Sequence, residues 1–159
     1  MCLSKKEHDL AWTVVLNLIA FRAHTTFEIE KKLLKRGFKQ STVRGVVSKC
    51  LDLQLVNDKD SGRIYLQELV RKGYGPHRIR RAMAQKGLSR QLVDELFSEE
   101  TVEENEKSVC ERVLIKKMNH IDTRKNTKNV KAFLYRFLLT RGFSAAVIVQ
   151  LLEKNIVEE

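Results

Sequence analysis

The sequence contains a single proline and seven glycines in 159 residues, too few breakers for the many tight turns of an all-β fold. Its three cysteines, Cys2, Cys50 and Cys110, are odd in number, far apart and in no CxxC pair. That pattern argues against a disulfide framework and for a reducing compartment. No apolar run approaches the roughly 20 residues that span a bilayer. The charged stretch Lys5 to Asp9 does not fit the layout of a secretory leader. A cytoplasmic protein with no membrane partner is expected. His8, His24, His77 and His120 are scattered, none at ligand spacing from a cysteine. P-loop, GxGxxG and GxSxG signatures are missing. The carboxylate pairs Glu99-Glu100 and Glu103-Glu104 lie in an acidic block without a calcium-loop pattern and read as connector. The expectation is no catalytic residue, no metal and no cofactor.

What is abundant is positive charge. The formal net charge is +10 and the isoelectric point about 9.7, which suggests a polyanionic partner, nucleic acid first. The apolar share of 43% is that of an ordinary folded chain.

Aligning the chain on three glycines exposes a repeat. Gly37, Gly87 and Gly142 each follow a cation (Arg36, Lys86, Arg141) and precede an apolar residue (Phe38, Leu88, Phe143). Four residues before each glycine stands Leu33, Met83 or Leu138, and eight before stands Ile29, Ile79 or Leu134. Six after come Val43, Val93 and Ile148, and nine after come Val46, Leu96 and Leu151. The register predicts a helix, a glycine stop, and a second helix opened by Ser41, Ser89 or Ser144. Apolar-periodic segments precede each pair at Leu10 to Phe21, Ile64 to Val70 and Val102 to Ile121. The fold class expected is therefore all-α, with three tandem three-helix repeats over residues 1–57, 58–99 and 100–159. Units this small bury too little surface to stand alone, so neighbours should pack. Asn57 to Gly62 reads as a turn-rich connection, and His120 to Lys128 as a polar loop. Phe133, Phe137 and Phe143 read as core.

The clearest copy is Arg71 to Leu88. Gly73 ends one helix after a basic turn, Pro76 starts the next, and Gly87 stops it. Arg63 to Arg90 holds eight cations against Glu68, and Arg112 to Arg141 holds nine against Asp122. Asp94 to Glu106, with seven acids, separates them as an exposed, hinge-like helix or a solvated connector. For any single lysine a solvated helix face is the ordinary reading. Arg78, Arg80 and Arg81 differ, because a planar guanidinium fork suits phosphates and a helix start lies beside them. Candidate contacts to a polyanion in this unit are Arg71, Lys72, Tyr74, His77, Arg78, Arg80, Arg81 and Lys86. The third unit offers Lys131, Arg136 and Arg141, and the first Lys32, Lys35 and Arg36.

The run Arg71-Lys72-Gly73-Tyr74-Gly75-Pro76-His77-Arg78-Ile79-Arg80, continuing to Lys86-Gly87, resembles the signature of the bacterial regulatory protein RecX family. Phe137 to Phe143 is similar to that family's third repeat, and Glu28 to Phe38 to its first. The resemblance implies an elongated, curved array of three-helix repeats, and a monomer is expected. It further implies binding in the helical groove of a RecA recombinase filament on single-stranded DNA, with inhibition of ATPase, strand exchange and co-protease activity. Direct contact with single-stranded DNA, and with double-stranded DNA as a further candidate, is also implied. Ser61 and Gly62 depart from the family's aromatic and alanine. Both weaken a helix start, so the second unit's first helix is expected to slide toward Arg63. A stand-alone DNA-binding module of helix-turn-helix type remains the alternative.

Overall fold

The computed structural model describes residues 2–121 and 127–156, with side chains for 5–121 and 130–156. Among these residues it is all-α: α1 Cys2–Phe21, α2 Thr26–Lys35, α3 Gln40–Asp52, α4 Asp58–Arg71, α5 Pro76–Gln85, α6 Arg90–Glu99, α7 Glu106–Met118, α8 Thr127–Thr140 and α9 Ala145–Asn155. The twelve register positions named above are all buried, none more than 4% exposed. Apolar spacing of four and three residues across a glycine stop thus fixed which side of each helix faces inward.

The glycine stops form as the spacing predicts. Gly37, Gly73, Gly87 and Gly142 take φ of +86°, +75°, +78° and +88°, where a side chain would be strained. After each, the next amide reaches back to close the helix: Phe38 to Leu33 O, Tyr74 to Leu69 O, Leu88 to Met83 O and Phe143 to Leu138 O, at 3.2–3.3 Å.

The chain divides into two compact units, Met1–Tyr65 with Met83–Val93, and Leu66–Ala82 with Asp94–Glu159. The division falls inside α4, α5 and α6. In the first unit, α1, α2 and α3 enclose Ala11, Val15, Ile29, Leu33, Val43, Val46 and Cys50. In the second, α7, α8 and α9 enclose Cys110, Leu114, Leu134, Leu138, Phe143 and Ile148. Burial pushes both thiols up, Cys110 to about 12 with Glu106 adding to the effect, so these cysteines act as small apolar core residues.

Four expectations need correction. Asn57 to Gly62 is not a connection, and α4 does not slide toward Arg63. The Asn57 side chain accepts from the amides of Lys59 and Asp60, at 2.9 and 3.3 Å, and the helix starts at Asp58. Asp58 is itself held by the Thr26 amide and hydroxyl, both at 2.7 Å. Ser41 does not open α3: the flanking residue is Lys39, whose amide donates to Glu7 at 3.0 Å. Phe133 is not core but 43% exposed, with the Lys117 ammonium against its ring. The acidic block takes both of the forms expected for it, since Asp94 to Glu99 belong to α6, the residues after them connect, and Glu106 opens α7. Of the loop expected at His120 to Lys128, residues 122–126 lie outside the described residues, and α8 already begins at Thr127.

The start of α2 gathers charge beneath its surface. Thr25 and Glu28 form a reciprocal capping box, a T-x-x-E signal present in the sequence. Glu28, 14% exposed, accepts from Arg22 at 2.8 Å and pairs with Lys86. Burial alone would raise its pKa, but the bonds from Arg22, Lys86 and the Thr25 amide outweigh it and hold the carboxyl at about 2. That lies below the free value of 4.5, so the carboxylate stabilises the fold above pH 4.5, and this contribution fades as pH falls toward 2. Glu28→Gln is expected to cost about 2 kcal/mol near neutrality. The gap to wild type in urea melts should close as pH is lowered through that window; a constant gap would assign the loss to packing. Beside it His24, 2% exposed, bonds the Arg22 carbonyl through Nδ1 and meets Lys32 Nζ at 2.7 Å through Nε2. Burial first, and then the Arg22 charge, lower both the imidazole and the Lys32 ammonium pKa. His24 is therefore a neutral core acceptor.

Candidate nucleic-acid interface

Within the second unit, the end of α4, the face of α7 and the end of α8 leave a groove of about 610 Å³. Arg71, Lys72 and Gly73 line it from α4 and its turn, and Phe137 and Arg141 from α8. Arg112, Val113, Lys116, Lys117 and His120 line it from α7 and the residues after it. No carboxylate is among these lining residues. Arg112, Lys116 and His120 recur every four residues, which stacks the first two along one side of α7 and puts His120 in the turn just past its end. The His120 Nδ1 lies 2.7 Å from the Lys116 carbonyl. Since a carbonyl can only accept, Nδ1 carries the proton and Nε2 is the ring's other polar atom.

Aromatic faces interleave with this charge. Lys117 Nζ lies 5.1 Å from the Phe137 ring centre and the Arg141 guanidinium 5.0 Å from it. The guanidiniums of Arg78 and Arg141 also approach the Tyr74 ring, at 4.1 and 5.6 Å. Arg141 is positioned by carbonyls: it donates to Lys72 O at 2.9 Å and Gly73 O at 3.3 Å. Arg78 donates to Thr140 O at 3.2 Å. A concave row of cations beside flat rings can take a phosphate chain and stack its bases.

The sequence candidates therefore separate into groups. Arg71, Lys72 and Arg141 come together in the groove, with the Lys72 ammonium paired to Glu68 at 2.5 Å. Tyr74 and Arg78 join them through Arg141, while His77 and Arg81 are exposed on α5 and Arg136 on α8. Lys131 is half-buried near the start of α8. Arg80 belongs to no phosphate cluster: it bridges Asp94 and Glu103 (2.8 Å to the latter) and lies 4.1 Å from the Phe97 ring centre. Burial disfavours its charge, but these two carboxylates more than compensate and raise its pKa. In the first unit, Lys86 is engaged by Glu28 and lies 4.9 Å from the Tyr65 ring centre, while Lys32 meets His24. Lys35 and Arg36 are exposed at the end of α2. Sequence reasoning missed Arg112, Lys116, Lys117 and His120. The four-residue spacing on α7 was the available signal.

Among the described residues, no cluster of three or more His, Cys, Asp or Glu is placed to hold a metal. No helix there is long and apolar enough to cross a membrane.

Comparison with known proteins agrees with this architecture. Residues 11–50 match the family model for the first three-helix domain of RecX. Residues 57–96 match that for the second. The "Regulatory protein RecX" of Haemophilus influenzae (strain ATCC 51907) is 28% identical over 148 residues, covering 92% of this chain and 95% of that one. Its namesake from Mannheimia succiniciproducens is 29% identical over 137 residues, covering 86% and 88%. The crystal structure of RecX from Lactobacillus salivarius superposes with a TM-score of 0.75 at 20% identity, covering 94% of this chain and 97% of that one. Two adjoining domain models over half the sequence, end-to-end similarity to named relatives and the same helical fold agree, and the chain belongs to the RecX family.

Proposed function

We propose that this protein is a monomeric cytoplasmic regulator that binds the RecA filament on single-stranded DNA in its helical groove and lowers ATPase, strand exchange and co-protease activity. The observation that carries the reading is the groove of Arg71, Arg112, Lys116, Lys117 and Arg141, walled by Phe137 and with no carboxylate in its lining. Such a surface suits a phosphodiester chain with unpaired bases better than a duplex, whose bases are already stacked. The regulatory role is supported by the relatives' shared name, "Regulatory protein RecX". Neither a cofactor nor a reaction is needed.

Following RecA ATP turnover on single-stranded DNA while this protein is added tests the proposal. Turnover is expected to fall as the protein approaches a stoichiometric ratio to filament subunits. Unchanged turnover, together with tight and sequence-preferring duplex binding in gel shifts, would favour the helix-turn-helix module instead.

A further inference from the structure

The ends of α2, α5 and α8 are three copies of one structure, and two of them are seated on another helix. At the end of α5, the Lys86 carbonyl accepts from the Thr25 hydroxyl at 2.7 Å and the Lys86 ammonium pairs with Glu28. A Cβ at Gly87 would collide with Phe27. At the end of α8, the Arg141 carbonyl accepts from the Gly75 amide at 2.8 Å, and the Gly142 carbonyl from the His77 amide at 3.1 Å. The two seats match in register: Thr25 and Gly75 each stand twelve residues before the glycine of their own repeat. In both cases the cation before the glycine also reaches across, Lys86 to a carboxylate and Arg141 to two carbonyls. Helix-end carbonyls thus meet donors at the start of a helix, where opposite partial charges complement each other, while the cation finds acceptors of its own beside it, the Glu28 carboxylate for Lys86 and the carbonyls closing α4 for Arg141.

The end of α2 is built the same way and is vacant. Gly37 has φ +86°, and a Cβ there would find nothing within 4 Å. Arg36 is exposed, and no described residue bonds its side chain or the Arg36 and Gly37 carbonyls. Lys32 and Lys35 add positive charge to the same last turn. We propose that the Arg36–Gly37 end of α2 docks a partner protein, and that the occupant is the first turn of a helix carrying a carboxylate, the chemistry that Thr25 and Glu28 offer to Lys86. A second copy of this chain does not supply that seat. Its first two seats are filled, and α8 begins fifteen residues before Gly142, whereas α2 and α5 begin eleven before their glycines. The matching position, Val130, is therefore inside a helix and packs on the core.

The identity of the partner as the recombinase rests on the function proposed above; the docking end does not. Arg36→Glu is expected to weaken binding to RecA filaments on single-stranded DNA about tenfold, by repulsion of the incoming carboxylate. Arg44→Glu, the same charge change at an exposed position on α3, should stay within about twofold. Both variants should bind naked oligo-dT like wild type. Equal losses in the two variants, or wild-type binding by Arg36→Glu, would overturn the proposal. If wild type ignores the filament, the functional reading fails by itself, and a second measurement still decides this one. A stapled helical peptide opening with Thr-x-x-Glu, titrated to millimolar concentration, should move the amide resonances of Leu34 to Phe38 in wild type and not in Arg36→Glu. No movement in wild type, or self-association of the protein that Arg36→Glu abolishes, would sink the partner assignment.

Discussion

Gly142→Ala is expected to destabilise the protein by about 3–5 kcal/mol, a large part of the whole stability of a chain this size. The added Cβ would overlap the backbone and Cβ of Arg78, the latter at 2.5 Å, and no rotation of a side chain can clear a backbone. The left-handed φ of +88° adds strain of its own. Gly75→Ala should be comparably severe without that strain, because its Cβ would run into the Gly142 carbonyl and the Phe143 amide. Gly37→Ala is the internal control: φ is +86° but the space is open, so only the conformational cost of about 1 kcal/mol remains. Urea melts of the three variants separate the contributions. Equal losses at Gly37 and Gly142 would mean that the close approach of α8 to the start of α5 is not what the glycine serves.

The second large effect concerns the groove. Arg112→Glu combined with Lys116→Glu is expected to weaken binding to single-stranded DNA by about a hundredfold near physiological salt. The slope of log affinity against log salt should fall by about 1.4, the value for two lost phosphate contacts on a single strand. Lys5→Glu with Lys6→Glu makes the same change in net charge on α1 and should alter binding little. Anisotropy titrations with labelled oligo-dT at several salt concentrations read both quantities. Equal losses from the two pairs would mean that net charge, and not this groove, draws the nucleic acid.

Much of the fold was legible because helices write their inward face into spacing. Ile29, Leu33, Val43 and Val46 announce one face across Gly37, and the same register recurs around Gly87 and Gly142 with every position buried. Helix starts were harder, since a cap can be decided from far away in sequence. Glu7 receives the Lys39 amide and Glu106 that of Ser144, at 3.0 and 2.6 Å, contacts that no local pattern reveals. The site was half legible. Arg71, Lys72 and Arg141 stood out as cations, but the groove also needs α7 folded beside them. Arg80 shows the opposite error. Its neighbours in sequence are basic, whereas its neighbours in space are Asp94 and Glu103. The cation before each glycine was visible as a mark of repetition. Its reach to a distant segment was not, because the acceptor is a carboxylate or a pair of carbonyls many residues away.

The meeting of α8 with α5 rests on two main-chain bonds, Gly75 N to Arg141 O and His77 N to Gly142 O, with one side-chain bond from Arg78 to Thr140 O beside them. Main-chain bonds of this kind do not read side chains, apart from the two glycines that the close approach requires. Under random mutagenesis with selection for solubility alone, position 77 should accept any residue that keeps its amide hydrogen and position 140 almost anything, while 75 and 142 return glycine every time. A protein assembled in this manner can rewrite its surface, and with it the company it keeps, while its skeleton stays in place.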